Sequence, residues 1–413
     1  MKAPGDLVIE NIKIVTPIGN EALKGEAMDH LKVIQDGCIV IEKGIITYAG
    51  KKDSLPSSAT ISNFPRVNGR GNVALPGFVD SHTHLIFGGF RPDEFEWRLK
   101  GDTYMSIMER GGGIQSTVNA TKEATKDELV RKAKWFLQSM SKMGVTTVEA
   151  KSGYGLDIDT ELKMLEAISC LQNDPDVGIE IIPTFLGAHA VPVDYKDDAA
   201  GYVDFIIKNL HLFKGKAKFC DVFCEKNVFE IEDSRRLLEA AAKEGFKIKL
   251  HADEIVQLGG AELSAELGAT SADHLLHVSD EGIHRMAKAG VVATLLPLTA
   301  FALREPYAPA RKFIDNGCAV ALATDLNPGS CFSGSIPLTI ALACIYMNMT
   351  IEETITALTL NGAAALDMAE VTGSLEKGKR GDVILLESDN YKVLPYYVGM
   401  NCVSMTIAQG NIL

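Results

Sequence analysis

Leu75 to Leu85 read LPGFVDSHTHL. The apolar run from Val73 to Val79 ends in a small polar cluster holding His82 and His84, two imidazoles separated by one residue. In an extended chain residues i and i+2 project to the same side, so both rings can converge on one metal ion. An isolated H-x-H also fits two surface histidines at a strand end. Three distant residues favour the metal, because His251, His274 and Asp325 each follow an apolar run of their own.

Counting those runs decides the architecture. They begin near Val73, Val145, Ile179, Phe219, Phe246, Ser271, Val291 and Ala319, and helical patterns such as TELKMLEAISCL from Thr160 follow them. Eight strand-helix units predict an α/β protein, a (β/α)8 TIM-like barrel whose strands are buried on both faces. A doubly wound sheet is the alternative, but it offers no reason for eight consecutive units. Chemistry in such barrels sits at the C-terminal strand ends. One rim would then carry His82 and His84 (strand one), Lys151 and Tyr154 (two), His189 (three), His251 (five), His274 (six) and Asp325 (eight). The stretch from Pro92 to Lys142, with its turn at Gly111 to Gly113, reads as an insertion that serves as a lid or a subunit contact.

Both chain ends read differently. Asp6 to Val15, Gly37 to Ile41, Ile45 to Tyr48 and Arg66 to Val73 are strand-like, and CIVIEKGIITYAG breaks at Lys43 and Gly44 as a hairpin does. Gly381 to Leu386 and Cys402 to Ile407 behave alike, so residues 1–74 and 366–413 are expected to form one small β-sandwich domain flanking a barrel over 75–365.

With 413 residues, 46% hydrophobic and 23% charged, the chain has the composition of an ordinary globular protein. A net charge of −13 without a Lys/Arg cluster argues against nucleic acid or an anionic membrane as partner. MKAPGDLVIE lacks an apolar signal-peptide core, and the run from Ala289 to Leu303 is short for a membrane span and contains Pro297. Eight scattered cysteines read as reduced core residues of a cytoplasmic protein. No second cysteine pair complements Cys220 and Cys224 as a thiolate metal site.

In order and content the rim motifs resemble the amidohydrolase superfamily: H-T-H after strand one, HADE at His251 to Glu254, SADH ending at His274, and ATDLNPG from Ala323 to Gly329. EAKSGYGLD, TFLGAHAVP, FCDVFCE, LREPYAPARK and the tail GSLEKGKRGDVI are similar to the branch that opens an imidazolone ring in histidine degradation, along essentially the whole chain. The resemblance implies one divalent ion, zinc or iron, held by His82, His84, His251 and Asp325. Three imidazoles and a carboxylate suit either metal and leave a position open for water. It gives Glu254 proton transfer to the leaving ring nitrogen, His274 a hydrogen bond to the substrate carbonyl, and Asp325 a share in the first proton abstraction. From the residues alone, Glu254 also fits a helix cap and His274 a core histidine. Asp325 fits a turn residue in D-x-N-P-G, which is compatible with ligation. No lysine aligns at the end of strand four, where Phe223, Cys224 and Glu225 precede Lys226, and this favours one ion over two. Lys151 is expected to order the Ser152 to Gly155 loop or to balance the pocket's charge.

The implied substrate is 4-imidazolone-5-propanoate, a small anion, and the product N-formimidoyl-L-glutamate. Its tail needs a cation, and Arg91, seven residues past His84, is the candidate because guanidinium pairs bidentately with carboxylate. A surface arginine in the Phe90 to Asp93 turn is the plainer reading. The family pattern sets Tyr154, His189, Glu254, Asn327, Gly329 and Ser330 against the substrate, the last where threonine is common. Tyr104 and Arg304 are secondary candidates for the tail, and a homodimer is implied. A guanine or cytosine deaminase on the same barrel is the rival reading, lacking the anionic tail. A non-catalytic relative would be expected to have lost ligands that this chain keeps.

Overall fold

A computed structural model describes residues 3–55, 61–102, 110 and 112–413. Eight strands run in consecutive order: β1 (Phe78–Asp80), β2 (Val145–Lys151), β3 (Glu180–Ala188), β4 (Phe219–Cys224), β5 (Lys247–Ala252), β6 (Ser271–His274), β7 (Val292–Leu295) and β8 (Val320–Leu322). Every neighbouring pair from β1 to β8 is parallel. The last seam forms just beyond the strands. Asp325 N donates to His82 O at 3.0 Å and His84 N to Leu326 O at 2.9 Å, with a parallel bridge between Thr83 and Leu326. Beneath it the Asp80 carboxylate accepts from Thr324 N at 2.9 Å and from Thr324 Oγ1 at 2.6 Å. Three of the candidate ligands, His82, His84 and Asp325, therefore lie in the segments that close the ring, while His251 belongs to β5.

The apolar run at the start of the barrel is shared between two sheets, contrary to the expectation of a first strand beginning at Val73. Val73–Pro76 pairs parallel with Lys13 and Ile14 and antiparallel with Val383 to Leu385, outside the barrel. The chain crosses at Gly77, where a Cβ would lie 2.2 Å from Thr146 Oγ1, and only then begins β1. An uninterrupted apolar run carries no mark of the sheet that buries it.

After β1 come α1 (Pro92–Leu99), α2 (Ile114–Glu123) and α3 (Lys126–Lys142). A capping box starts α3: Glu128 N donates to Thr125 Oγ1, and Thr125 N donates to Glu128 Oε2. Leu129, Ala133, Leu137 and Met140 form its buried stripe at spacings of four, four and three. Each leucine buried this way stabilises the fold by about 1.5–3 kcal/mol. The stripe packs on β2 and on the strand Val403–Ala408, so Lys126–Lys142 is the helix of the first barrel unit. The expected insertion to Lys142 is thus shorter, ending before Lys126.

The chain ends supply a separate eight-stranded sheet, which comprises Leu7–Thr16, Lys32–Glu42, Ile45–Lys51, Arg66–Asn68, Val73–Pro76, Val383–Leu386, Val403–Ala408 and Asn411–Ile412. Ile9, Ile14, Ile39, Ile41, Val383 and Ile407 form its core. Glu42 pairs with Ile45 across the two-residue turn at Lys43 and Gly44. Among the described residues no helix is long and apolar enough to cross a membrane.

Candidate active site

The strand ends gather His82, His84, His251 and Asp325 into one cluster, each 3% exposed or less. His84 Nε2 stands 3.3 Å from His82 Nε2 and 3.2 Å from His251 Nε2. Asp325 Oδ1 is 3.6 Å from the Nε2 atoms of both His82 and His84. His82 Nδ1 donates to Asp273 Oδ2 at 2.6 Å, which leaves its Nε2 as a lone pair. Burial, then the Lys151 charge, holds His82 well below the usual imidazole range. Burial, then His189, does the same to His84. Neutral rings turning lone pairs toward one another and toward a carboxylate are a donor set that fits a cation. Four ligands at about 2.0–2.1 Å from a tetrahedral ion would lie about 3.3–3.4 Å apart, close to the separations found. A nitrogen of His274 joins those of His82 and His251 in a second grouping.

Beneath this cluster lies a layer of fully buried charges, of which the sequence pointed only to Lys151, in its charge-balancing alternative. Lys151 Nζ contacts Asp221 Oδ2 at 2.7 Å, Glu149 Oε2 at 2.9 Å and Asp273 Oδ2 at 3.8 Å. Lys249 Nζ reaches Glu149 at 3.0 Å and donates to Ser81 O at 2.9 Å. Asp221 Oδ2 lies 3.0 Å from His251 Nδ1. Burial opposes the charge on Lys151, yet Asp221, Glu149 and Asp273 together hold its pKa above the ordinary lysine value. The carboxylates that face two candidate ligands are themselves tied by one ammonium, an outer-shell arrangement that orients metal-binding rings. Lys151 does not order the Ser152 to Gly155 loop. Glu161 does, accepting from Gly153, Gly155 and Leu156 N–H groups. The available signal was a set of acids and lysines interrupting strands that a barrel buries on both faces.

Glu254 stands over the cluster with Oε2 3.5 Å from His274 Nε2 and 16% of its side chain exposed. Burial, followed by the charges of Asp325 and Glu225, pushes its carboxyl up to about 8. It caps no helix. Asp253 takes that role, accepting from Leu258, Gly259 and Ala261 N–H groups, while Glu225 accepts from Ile255 N. Asp253, His274 and Asp325 adopt left-handed φ values of 50°, 76° and 55°, costly conformations for such residues that cluster at functional sites. Asp325 is pushed up to about 6, chiefly by burial, against a 2.6 Å hydrogen bond from Thr299 Oγ1.

The cavity above, roughly 640 Å³, includes Arg91, Tyr154, His189, Glu254, His274, Asn327, Gly329 and Ser330 in its wall. His189 stacks on His84 with centroids 4.9 Å apart, and Tyr154 lies 5.0 Å from His189. Burial, then His251, lowers His189 to about 3. Asn327 Oδ1 accepts from Gly329 N and Ser330 N, and its Nδ2 donates to Asp325 O at 2.8 Å. Arg91 has 10% of its side chain exposed, touches Glu94 at only 3.5 Å, and its Nε has no partner among the described residues. A cation so poorly satisfied, facing the cluster across one cavity, suits an anionic ligand group. Arg304 is exposed and stands outside the wall, where Leu303 and Glu305 take its place. Tyr104 and Gly111 lie outside the described residues. Arg98 and Glu94 also line the cavity, unread in the sequence although Arg98 follows Arg91 by seven residues, two helical turns.

Residues 73–413 match the model of the amidohydrolase family, the class of hydrolase that this barrel and its histidine-aspartate rim define. An imidazolonepropionase of Bacteroides thetaiotaomicron is 62% identical over 408 residues, 98% of each chain. One from Clostridium tetani is 54% identical over 413 residues, covering 99% of this chain and 98% of its own. The chain belongs to the imidazolonepropionases within the amidohydrolase family. In fold it is also similar to a 5-methylcytosine deaminase from Klebsiella pneumoniae, with a TM-score of 0.73 at 16% identity covering 98% and 97% of the two chains. E. coli guanine deaminase gives 0.69 at 16% identity, covering 99% and 98%. At such identity these two speak for the barrel alone.

Proposed function

We propose that the protein hydrolyses the ring amide of 4-imidazolone-5-propanoate to N-formimidoyl-L-glutamate. The observation that carries this reading is the under-satisfied Arg91 guanidinium facing the histidine-aspartate cluster across one cavity. Water adds to the ring carbonyl carbon, the bond from that carbon to the adjacent ring nitrogen breaks, and the nitrogen takes a proton. The carbon stays bonded to its carbon neighbour and becomes the new carboxylate, and the second proton of the water is released to solvent.

His82, His84, His251 and Asp325 would hold one divalent ion, zinc or iron. When bound, such an ion supplies Lewis acidity and activates water at neutral pH. Arg91 binds the propanoate, and Tyr154 and His189 bound the ring's site. His274 Nε2 donates to the substrate carbonyl oxygen and to the charge it acquires. Glu254 accepts the proton of the attacking water and returns it to the departing nitrogen, a task suited to a carboxyl whose affinity for a proton lies near neutrality. We propose further that the protein is cytoplasmic and a homodimer, the second of which sedimentation of the purified chain checks. Arg91 speaks against the deaminase alternative, whose rings carry no anionic tail.

Freshly prepared 4-imidazolone-5-propanoate, followed by ultraviolet absorbance with metal-loaded and metal-stripped protein, tests the proposal. Metal-dependent loss of the ring chromophore with formimidoylglutamate in the mass spectrum is the expected outcome. Fully loaded protein that leaves the ring intact would sink it.

A further inference from the structure

The helix α1 is poorly anchored for an element that forms a cavity wall. Only Glu94 of its eight residues is buried, while Phe95 is 40% and Leu99 57% exposed. Among the described residues no buried apolar stripe seats it. Among the described residues three contacts tie it to the loop after β8 instead: Arg98 Nη2 donates to Gly329 O at 2.5 Å, the Arg98 guanidinium lies 5.7 Å from the centroid of the Phe332 ring, and the Phe95 ring meets Phe332 edge-on at 5.1 Å. The same glycine receives Arg91. A Cβ at Gly329 would lie 2.1 Å from Arg91 Nη2 and 2.9 Å from its Cζ, so the guanidinium rests against bare backbone. From there the connection to the cluster is short, since Asn327 Oδ1 accepts from Gly329 N at 2.8 Å and Asn327 Nδ2 donates to Asp325 O at 2.8 Å.

The span from Asp325 to the Arg91 guanidinium is thus set by one hydrogen-bonded turn, clamped from outside by Arg98. We propose that Arg98 is a positioning residue that holds α1 against Gly329, fixes how far Arg91 stands from the cluster, and so sets the length of acidic tail the site accepts. This rests on the reading of Arg91 as the partner of a substrate carboxylate. With its clamp removed, α1 keeps toward that loop, among the described residues, the Phe95–Phe332 contact, and Arg91 can follow tails of different length.

Inhibition of the metal-loaded enzyme by imidazole-4-acetate, imidazole-4-propanoate, imidazole-4-butanoate and the neutral imidazole-4-propanamide tests this. Wild type is expected to favour propanoate over either neighbour by about tenfold or more, the discrimination one methylene supports in a fitted site. In Arg98→Met that preference falls to about threefold or less, with metal content unchanged, and Arg98→Lys recovers part of it. An Arg98→Met enzyme that keeps the wild-type ranking and ratios overturns the proposal. So does one that weakens all four compounds equally, since Arg98 would then be a general prop. A wild type binding propanoate no better than its amide removes the carboxylate reading itself, a failure visible before any variant is made.

Discussion

The floor and the mouth of the cavity are built on opposite principles. Beneath the cluster Glu149, Lys151, Asp221, Lys249 and Asp273 are fully buried and bonded to one another several times over. At the mouth α1 buries one residue and hangs on an arginine and an aromatic contact. Low-dielectric charge pairing punishes any change in the floor, because each unpaired member stays trapped without water. A mouth held by a few half-exposed contacts can be altered at small expense to the fold. Under the proposed function the floor orients the metal-binding rings and the mouth selects the substrate.

The largest effect is expected in the floor. Lys151→Met leaves Asp221 without its ammonium partner and Asp273 with Lys249 at 3.6 Å, and should destabilise the metal-free protein by about 3–5 kcal/mol. Metal affinity should fall about 10–100-fold as the partners of His82 and His251 lose their tether. Urea unfolding and chelator competition measure the two. Unchanged stability would dissolve the contrast.

One layer up, Glu254→Gln should lower kcat by about 10²–10⁴-fold while metal content holds. The variant also exposes a pH signature. Burial raises the native pKa of Glu254 to about 8 from the ordinary glutamate value of 4.5, so the native state holds a proton that the unfolded chain has released between those values. Its contribution to stability is fully present below about 4.5 and is lost as pH rises through about 8. Urea midpoints of metal-free protein should therefore fall more steeply with pH in wild type than in Glu254→Gln. Equal slopes would show that Glu254 does not take up that proton.

Changes at the mouth should be gentler on the fold. Arg91→Ala is expected to raise KM about a hundredfold, with unfolding and metal content close to wild type. A matching loss of bound metal would mean that the mouth and floor are not separable. Smallest of all, Ser330→Thr retains the hydroxyl that hydrogen-bonds Asn327 and adds a methyl at the cavity wall, so KM should move by about threefold or less.

Much of this was legible locally. The H-x-H pair, HADE, SADH and TDLNPG follow apolar runs, and a strand's period of two with its burial on both faces is written in neighbouring residues. The eight units, the rim residues and the Lys43–Gly44 hairpin could be read that way. Other features depended on partners far along the chain. Val73 to Val79 looks like one strand until Val383 to Leu385 claims its first half and Val145 to Val148 its second. For Lys151 the sequence left loop ordering and charge balance both open, because Asp221 and Asp273, 70 and 122 positions away, become its counter-ions only once the ring closes. Arg98 carried no motif, and its acceptor is a backbone carbonyl 231 residues distant. By itself the sequence determined which side chains end which strands, because alternation and burial act between neighbours. Only the tertiary structure decided which charges neutralise one another and what holds Arg91 in place, because those depend on distances that chain closure alone sets.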